Sequence, residues 1–198
     1  MADVLIVPTG TANIASVVAA FRRLGAVPRV GERTEEVATA RRVMLPGVGA
    51  FGAAMARLVE HGLDAALRGR ISEDRPTICI CVGHQLLFEA SDESQGVRGL
   101  GVVAGHVGRF PDGVRVPQFG WNQVHAGEES RLLEGGWAYF ANSYRVAKAP
   151  PGWAVASANH GGRFIAAMER GNVLGCQFHP ELSGAYGAAL LARFLELA

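Results

Sequence analysis

The chain has 198 residues, 49% of them hydrophobic and 19% charged, which excludes a disordered chain and suffices for one sizeable core. Lys plus Arg number 19 against 18 Asp plus Glu, leaving a net charge of +1 and no electrostatic basis for binding nucleic acid or an anionic membrane. No apolar run approaches the roughly 18 residues a membrane helix needs.

Val4 to Val7 is a short apolar run ending at Pro8-Thr9-Gly10 and reads as a buried strand. Asn13 can cap a helix whose apolar residues Ile14, Val17, Val18, Phe21 and Leu24 recur at helical spacing until Gly25 stops it. Val27 to Val30 and Val43 to Leu45 predict two more strands, with a small helix over 34–39 between them. The pairs Arg22-Arg23 and Arg41-Arg42 are too short for phosphate tracks and read as solvated faces. A longer helix is predicted from Phe51 to Leu67, then a buried strand over Thr77 to Cys81. Strands alternating with helices in this way predict a parallel sheet covered on both faces. Past Leu100 Gly, Pro, Trp and Tyr become frequent, and 102–110, 121–125 and 137–140 read as antiparallel strands and loops. Val173 to Phe178 is a further strand, and Ala185 to Leu197 a closing helix with Leu190, Leu191, Phe194 and Leu195 inside. No linker or repeat interrupts this, so the expectation is one α/β domain over 1–198: a mostly parallel central sheet flanked by helices, with a β-rich second half.

The chemistry concentrates in a few segments. Ile78-Cys79-Ile80-Cys81-Val82-Gly83-His84-Gln85 carries a buried strand straight into a helix, with Cys81 at the turn. A nucleophile on such an elbow is exposed, and the helix N-terminus favours a thiolate. The plain alternative is that Cys79, Cys81 and Cys176 are all small core residues. A thiol needs a base, and the base an orienting acceptor. His179-Pro180-Glu181, at the end of another predicted strand, supplies both. Residues just past the carboxyl ends of strands share one crevice in such sheets, which would bring Cys81 and His179 together. Pro46-Gly47-Val48-Gly49 lacks the Lys-Ser/Thr of a phosphate loop; its backbone N–H groups suit an oxyanion, or the segment is only a helix-entry turn. His84 reads as packing, and His61, His106, His125 and His160 have no metal-ligand spacing, so neither metal nor cofactor is expected. Three cysteines, an odd number, and the lack of a secretory leader pattern point to a reducing, cytoplasmic setting.

Taken together, Pro-Gly-Val-Gly at 46–49, Cys-Val-Gly-His-Gln at 81–85 and Phe-His-Pro-Glu at 178–181 resemble the class I (triad) glutamine amidotransferases, a flavodoxin-like fold. Thr9-Gly10-Thr11-Ala12-Asn13, Gln118-Phe119-Gly120-Trp121-Asn122 and Tyr139-Phe140-Ala141-Asn142-Ser143-Tyr144 narrow the resemblance to glutaminase subunits of imidazole glycerol phosphate synthases. The resemblance implies Cys81 as nucleophile, His179 as general acid/base and Glu181 as its orienter. It implies an oxyanion site from the backbone around Gly47, Val48, Gly49 and Val82. It also implies that Gln85, Glu93 and the wall Asn142-Ser143-Tyr144 hold L-glutamine. Ammonia would pass to a barrel-shaped cyclase subunit, in a heterodimer, for histidine biosynthesis. Three departures from the usual pattern stand out: Asn142 stands where histidine precedes Ser-Tyr, Gln118-Phe119 replaces His-Met, and Leu182 takes the place of a basic residue. A synthase partner making anthranilate or pyridoxal phosphate, a lone γ-glutamyl hydrolase, and a silent scaffold on the same fold remain alternatives.

Overall fold

A computed structural model describes residues 2–10 and 13–197; Thr11 and Ala12 of the 9–13 segment lie outside them. The first half runs β1 (Asp3–Ile6), α1 (Ile14–Arg23), β2 (Val27–Val30), α2 (Thr34–Thr39), β3 (Val43–Leu45), α3 (Phe51–Glu60), α4 (Leu63–Ser72), β4 (Thr77–Ile80) and α5 (Val82–Leu86). The second half continues through β5 (Ala90–Ser91), β6 (His106–Arg109), β7 (Gln118–Ala126), β8 (Gly136–Asn142), β9 (Tyr144–Arg145), β10 (Ala154–Asn159), β11 (Arg163–Arg170) and β12 (Val173–Cys176). A 3₁₀ turn at Pro180–Leu182 leads into α6 (Gly184–Leu195).

Both halves share one nine-stranded sheet of order β2-β1-β3-β4-β12-β11-β10-β7-β8, beside a three-stranded sheet β5-β6-β9. From β2 to β12 the neighbours are parallel, and from β12 to β8 antiparallel. The expected parallel sheet is therefore present, and the β-rich half extends it instead of forming a layer of its own. The central strands β3, β4 and β12 are buried throughout, as strands covered on both faces must be. Among the described residues no helix is long and apolar enough to cross a membrane.

Local chemistry explains most boundaries. The Asn13 side chain accepts from the Ser16 N–H at 3.3 Å and starts α1, and Gly25 at φ +75° ends it. The single helix expected from Phe51 to Leu67 is two helices, because Gly62 turns left-handed at φ +66° between them. Arg42 is also corrected: it is buried, not solvated.

Arg70, on α4, is 1% exposed and ties the layer together. Its guanidinium donates to Thr77 Oγ1 and Pro76 O at 2.9 Å, to Ala40 O at 3.3 Å, and to Val37 O. These acceptors close the end of α2 and the entry to β4. Burial pulls its pKa down to about 10, which still leaves it charged at neutral pH. Arg70→Met, which keeps the stem and removes the donors, is expected to cost about 2–4 kcal/mol. In urea unfolding this lowers the midpoint without changing the slope, and an unchanged midpoint would show the network to be idle.

Candidate active site

Register decides which side chains meet. β4 lies parallel to β12 with Ile80 opposite Cys176, so both strands end at the same edge. The next residue on β4's side, Cys81, donates its N–H to Cys176 O at 2.7 Å. Cys81 has φ +53° and ψ −108°, a backbone region that costs a side-chain-bearing residue on the order of 1–3 kcal/mol. The turn that imposes it is packed tightly from below: a Cβ at Gly83 would sit 2.2 Å from Leu45 O, and one at Gly47 2.8 Å from Val82 Cβ. Glycine at both positions lets the Pro46–Gly49 segment lie directly against the elbow.

On the β12 side the chain continues through Gln177 and Phe178 to His179. The His179 N–H donates to Tyr139 O at 2.9 Å. Ser183, 1% exposed, completes the clamp: its hydroxyl donates to His179 O at 2.6 Å and accepts from the Tyr139 N–H at 2.9 Å. Glu181 Oε1 lies 2.8 Å from His179 Nδ1, and the two side chains are 4% and 5% exposed. That bond fixes the tautomer and leaves Nε2 for the reacting side. Burial depresses the imidazole's pKa, but hydrogen bonds to Cys81 and Glu181 and their charges outweigh it, raising the value to about 10. The imidazolium form is thereby favoured at neutral pH, next to the sulfur.

Cys81, His179 and Glu181 open on one cavity of about 440 Å³. Val48, Gly49, Val82, Gln85 and Glu93 line it together with Asn142, Ser143 and Tyr144. Gly47 does not; it lies beneath, its carbonyl accepting from the Val82 N–H at 3.3 Å. Glu93 has a second task, since its Oε2 accepts from Phe51 N–H at 2.7 Å at the start of α3. Asn142 Nδ2 donates to Tyr144 O at 2.9 Å, while its buried Oδ1 has no partner among the described residues. Beyond the residues anticipated from sequence, Asn13, Phe119, Tyr139 and Leu182 also face the cavity. Gln177 and Ser183 were not singled out either; both adjoin the His-Pro-Glu segment, and only their buried hydrogen bonds mark them.

The other candidates fall away. Cys79 and Cys176 are wholly buried, and burial pushes the Cys79 thiol up to about 12 and Cys176 well above its usual value. His84 points into the core, edge-on to Phe88 at 5.5 Å between ring centroids and packed on Gly175. Among the described residues no group of three or more His, Cys, Asp or Glu gathers as metal ligands would.

A cysteine on a strained elbow and a buried His–Glu pair at the next strand end, opening on one cavity, have the parts for thiol acyl transfer. The glutamine amidotransferase class-I family model matches residues 6–197, and the chain belongs to that family. Within it, the chain is 42% identical to imidazole glycerol phosphate synthase subunit HisH of Symbiobacterium thermophilum over 198 residues, covering 98% of this chain and 93% of that one. It is 41% identical over 194 residues to imidazole glycerol phosphate synthase hisHF, chloroplastic, of Arabidopsis thaliana, covering 94% of this chain and 33% of that longer one. A solved structure described as a glutamine amidotransferase superposes with a TM-score of 0.78 at 22% identity, over 98% of this chain and 97% of the other, which supports the fold.

Burial lowers the His84 pKa to about 3, and neither ring nitrogen has a hydrogen-bond partner among the described residues. The unfolded chain, with an ordinary histidine near 6.5, therefore binds an extra proton between those two values. Stability from a neutral His84 is complete above about pH 6.5 and drains away as pH falls toward 3. His84→Met is expected to flatten that acid limb in denaturation curves taken from pH 7 to 4. An identical limb in the variant would assign it to other groups.

Proposed function

We propose that the chain is the glutaminase subunit of an imidazole glycerol phosphate synthase, with Cys81, His179 and Glu181 as its catalytic triad. The observation that carries the reading is the meeting of the Cys81 elbow with the His179–Glu181 pair in one cavity. Identity near 40% to HisH subunits over almost the whole chain favours this synthase over those making anthranilate or pyridoxal phosphate.

In the proposed cycle the Cys81 thiolate attacks the side-chain amide carbon of L-glutamine, and the amide oxygen takes the negative charge. The Val82 N–H stabilises that oxyanion once it turns from Gly47 O, a bond of 3.3 Å and therefore easily exchanged. Val48 and Gly49 line the same cavity. Protonated His179 gives its proton to the departing nitrogen, which cannot leave as an amide anion, and ammonia is released. Neutral His179 then takes a proton from water, whose oxygen attacks the thioester carbon; glutamate leaves and the thiolate and imidazolium are restored. Gln85, Glu93 and the 142–144 wall hold the amino-acid end. The scheme needs no cofactor.

Ammonia in bulk water is protonated at neutral pH and loses its nucleophilicity, so a partner at the cavity mouth is a chemical requirement. Strand alternation on β7 and β8 supplies a surface for one. Phe119 and Trp121 pack edge-on to Tyr139, with centroids 5.9 and 6.1 Å apart. Phe119 is 72% exposed, Trp121 55% and Leu182 43%, unusual for residues of this size. We assign this rim to the cyclase subunit of the same synthase, as a heterodimer with lyase output: imidazole glycerol phosphate and aminoimidazole carboxamide ribotide for histidine biosynthesis. The chain's 198 residues then work as one amidotransferase domain. Its three free, buried thiols suit a cytoplasmic setting.

Glutaminase activity of the chain is expected to be low alone and to rise when the cyclase and its nucleotide ligand are added; strong activity without a partner would favour a lone hydrolase. Cys81→Ala should abolish glutamine-dependent synthesis in the reconstituted complex and leave synthesis from ammonium salt intact. Loss of both together would make Cys81 structural. Trp121→Ala should weaken cyclase stimulation by about tenfold while the isolated chain keeps its fold, as for a central aromatic anchor. Undiminished stimulation would remove the β7–β8 rim from the interface.

A further inference from the structure

We propose that Gln177 is a positioning residue of the glutaminase site, a fixed N–H donor to the Cys81 sulfur that also sets the orientation of Gln85. The inference rests on Cys81 being the nucleophile and goes beyond the triad.

Gln177 is fully buried directly after β12, its backbone held by an N–H bond to Ala166 O at 2.8 Å. Its side chain crosses toward the elbow. Nε2 lies 3.7 Å from Cys81 Sγ, a hydrogen-bonding distance for sulfur, and Oε1 accepts from Gln85 Nε2 at 2.9 Å. The two contacts determine which way round the amide sits. Turned over, it would set two NH₂ groups against each other and an oxygen lone pair against a sulfur that must become negative. Gln85 is fixed in the same stroke: its Nε2 is committed to Gln177 and, at 3.4 Å, to Tyr144 O. The end it offers a ligand is its Oε1, an acceptor that suits an ammonium group. A polar chain therefore runs from Asn142 through Tyr144 O, Gln85 and Gln177 to the sulfur.

Such a donor does something His179 cannot. His179 surrenders its proton during the cycle, whereas an amide N–H keeps its own at every stage. Sulfur carries charge twice, before it attacks and again when the second tetrahedral intermediate expels it. A hydrogen bond to a charged partner in a buried site is stronger than one to a neutral thioester sulfur. Gln177 thus favours thiolate over thioester and eases the sulfur's departure in the hydrolytic half. A residue that only fills space would do neither.

The test uses the full chain and iodoacetamide, with adducts mapped to Cys81 and the alkylation rate followed from pH 5 to 10. Gln177→Met, close in size and without the donor, is expected to slow alkylation at pH 7 by about tenfold and to move the rate profile to higher pH. Gln177→Glu, matching the amide in shape but adding a negative charge, should move the profile further the same way, and carries the comparison if the Met variant does not fold. In the reconstituted complex both variants should raise the KM for glutamine. Profiles that superpose on wild type in a folded variant overturn the proposal. Failure of the underlying reading looks different: Cys81→Ala would then still release ammonia from glutamine.

Discussion

Everything at the site depends on one backbone conformation, the positive φ of Cys81. A residue with a Cβ avoids that region, so the surroundings must over-determine it. They do so from three sides: the Cys81 N–H is taken by β12, Gly83 abuts the Leu45 carbonyl, and Gly47 presses on Val82. The turn sets Cys81 in the cavity wall, though at 4% exposure it does not have the openness expected of an elbow nucleophile, and the Val82 N–H at the start of α5 is taken by Gly47 O. Cys79 and Cys176, held neutral and inert by burial, do not line the cavity, whereas Cys81 does.

The second requirement is that an imidazole some hundred positions along the chain arrive at this sulfur, and sheet order meets it. Insertion of β12 beside β4 places two strand ends side by side, although the chain between them makes the whole antiparallel half of the sheet. That half is then used again. β8 returns over the site so that Tyr139 holds His179 by its backbone, with Ser183 closing the bracket. The base is placed by main-chain and hydroxyl bonds, and its charge by Glu181.

The first half of the fold was legible because its signals are local. Asn13 and Gly25 bound α1 as capping chemistry requires, and the short apolar runs became buried strands. Gly62 was passed over because one glycine inside a periodic stretch is often tolerated; only its left-handed φ breaks the helix. The hairpin β10–β11 was not singled out: Ala154–Asn159 is alanine-rich with little strand propensity, although 164–168 is an apolar run between glycine turns. At the site, Cys81, His179, Glu181 and most of the cavity wall could be anticipated from motif and strand ends. Gln177 and Ser183 could not, because a buried amide and a buried hydroxyl declare themselves through partners distant in sequence. Gly47, grouped with Val48 and Gly49 from the sequence, does not line the cavity with them; its carbonyl accepts from the Val82 N–H.

β8 is shared property. The backbone of Tyr139 anchors the base, while the aromatic faces of the same ribbon look outward. A lineage adapting to an altered companion protein cannot reshape this strand freely, because shifting its register would drag the imidazole along. Variation is channelled instead to side chains, which can change while the backbone bonds around His179 stay in place. The departures named from the sequence fit this: Asn142 sits at the end of β8 itself, Gln118 and Phe119 on β7 beside it, and the Leu182 N–H donates to His179 O at 3.1 Å, so each differs in side chain while the backbone bonds persist. Recognition drifts at its edges while the chemistry stays moored.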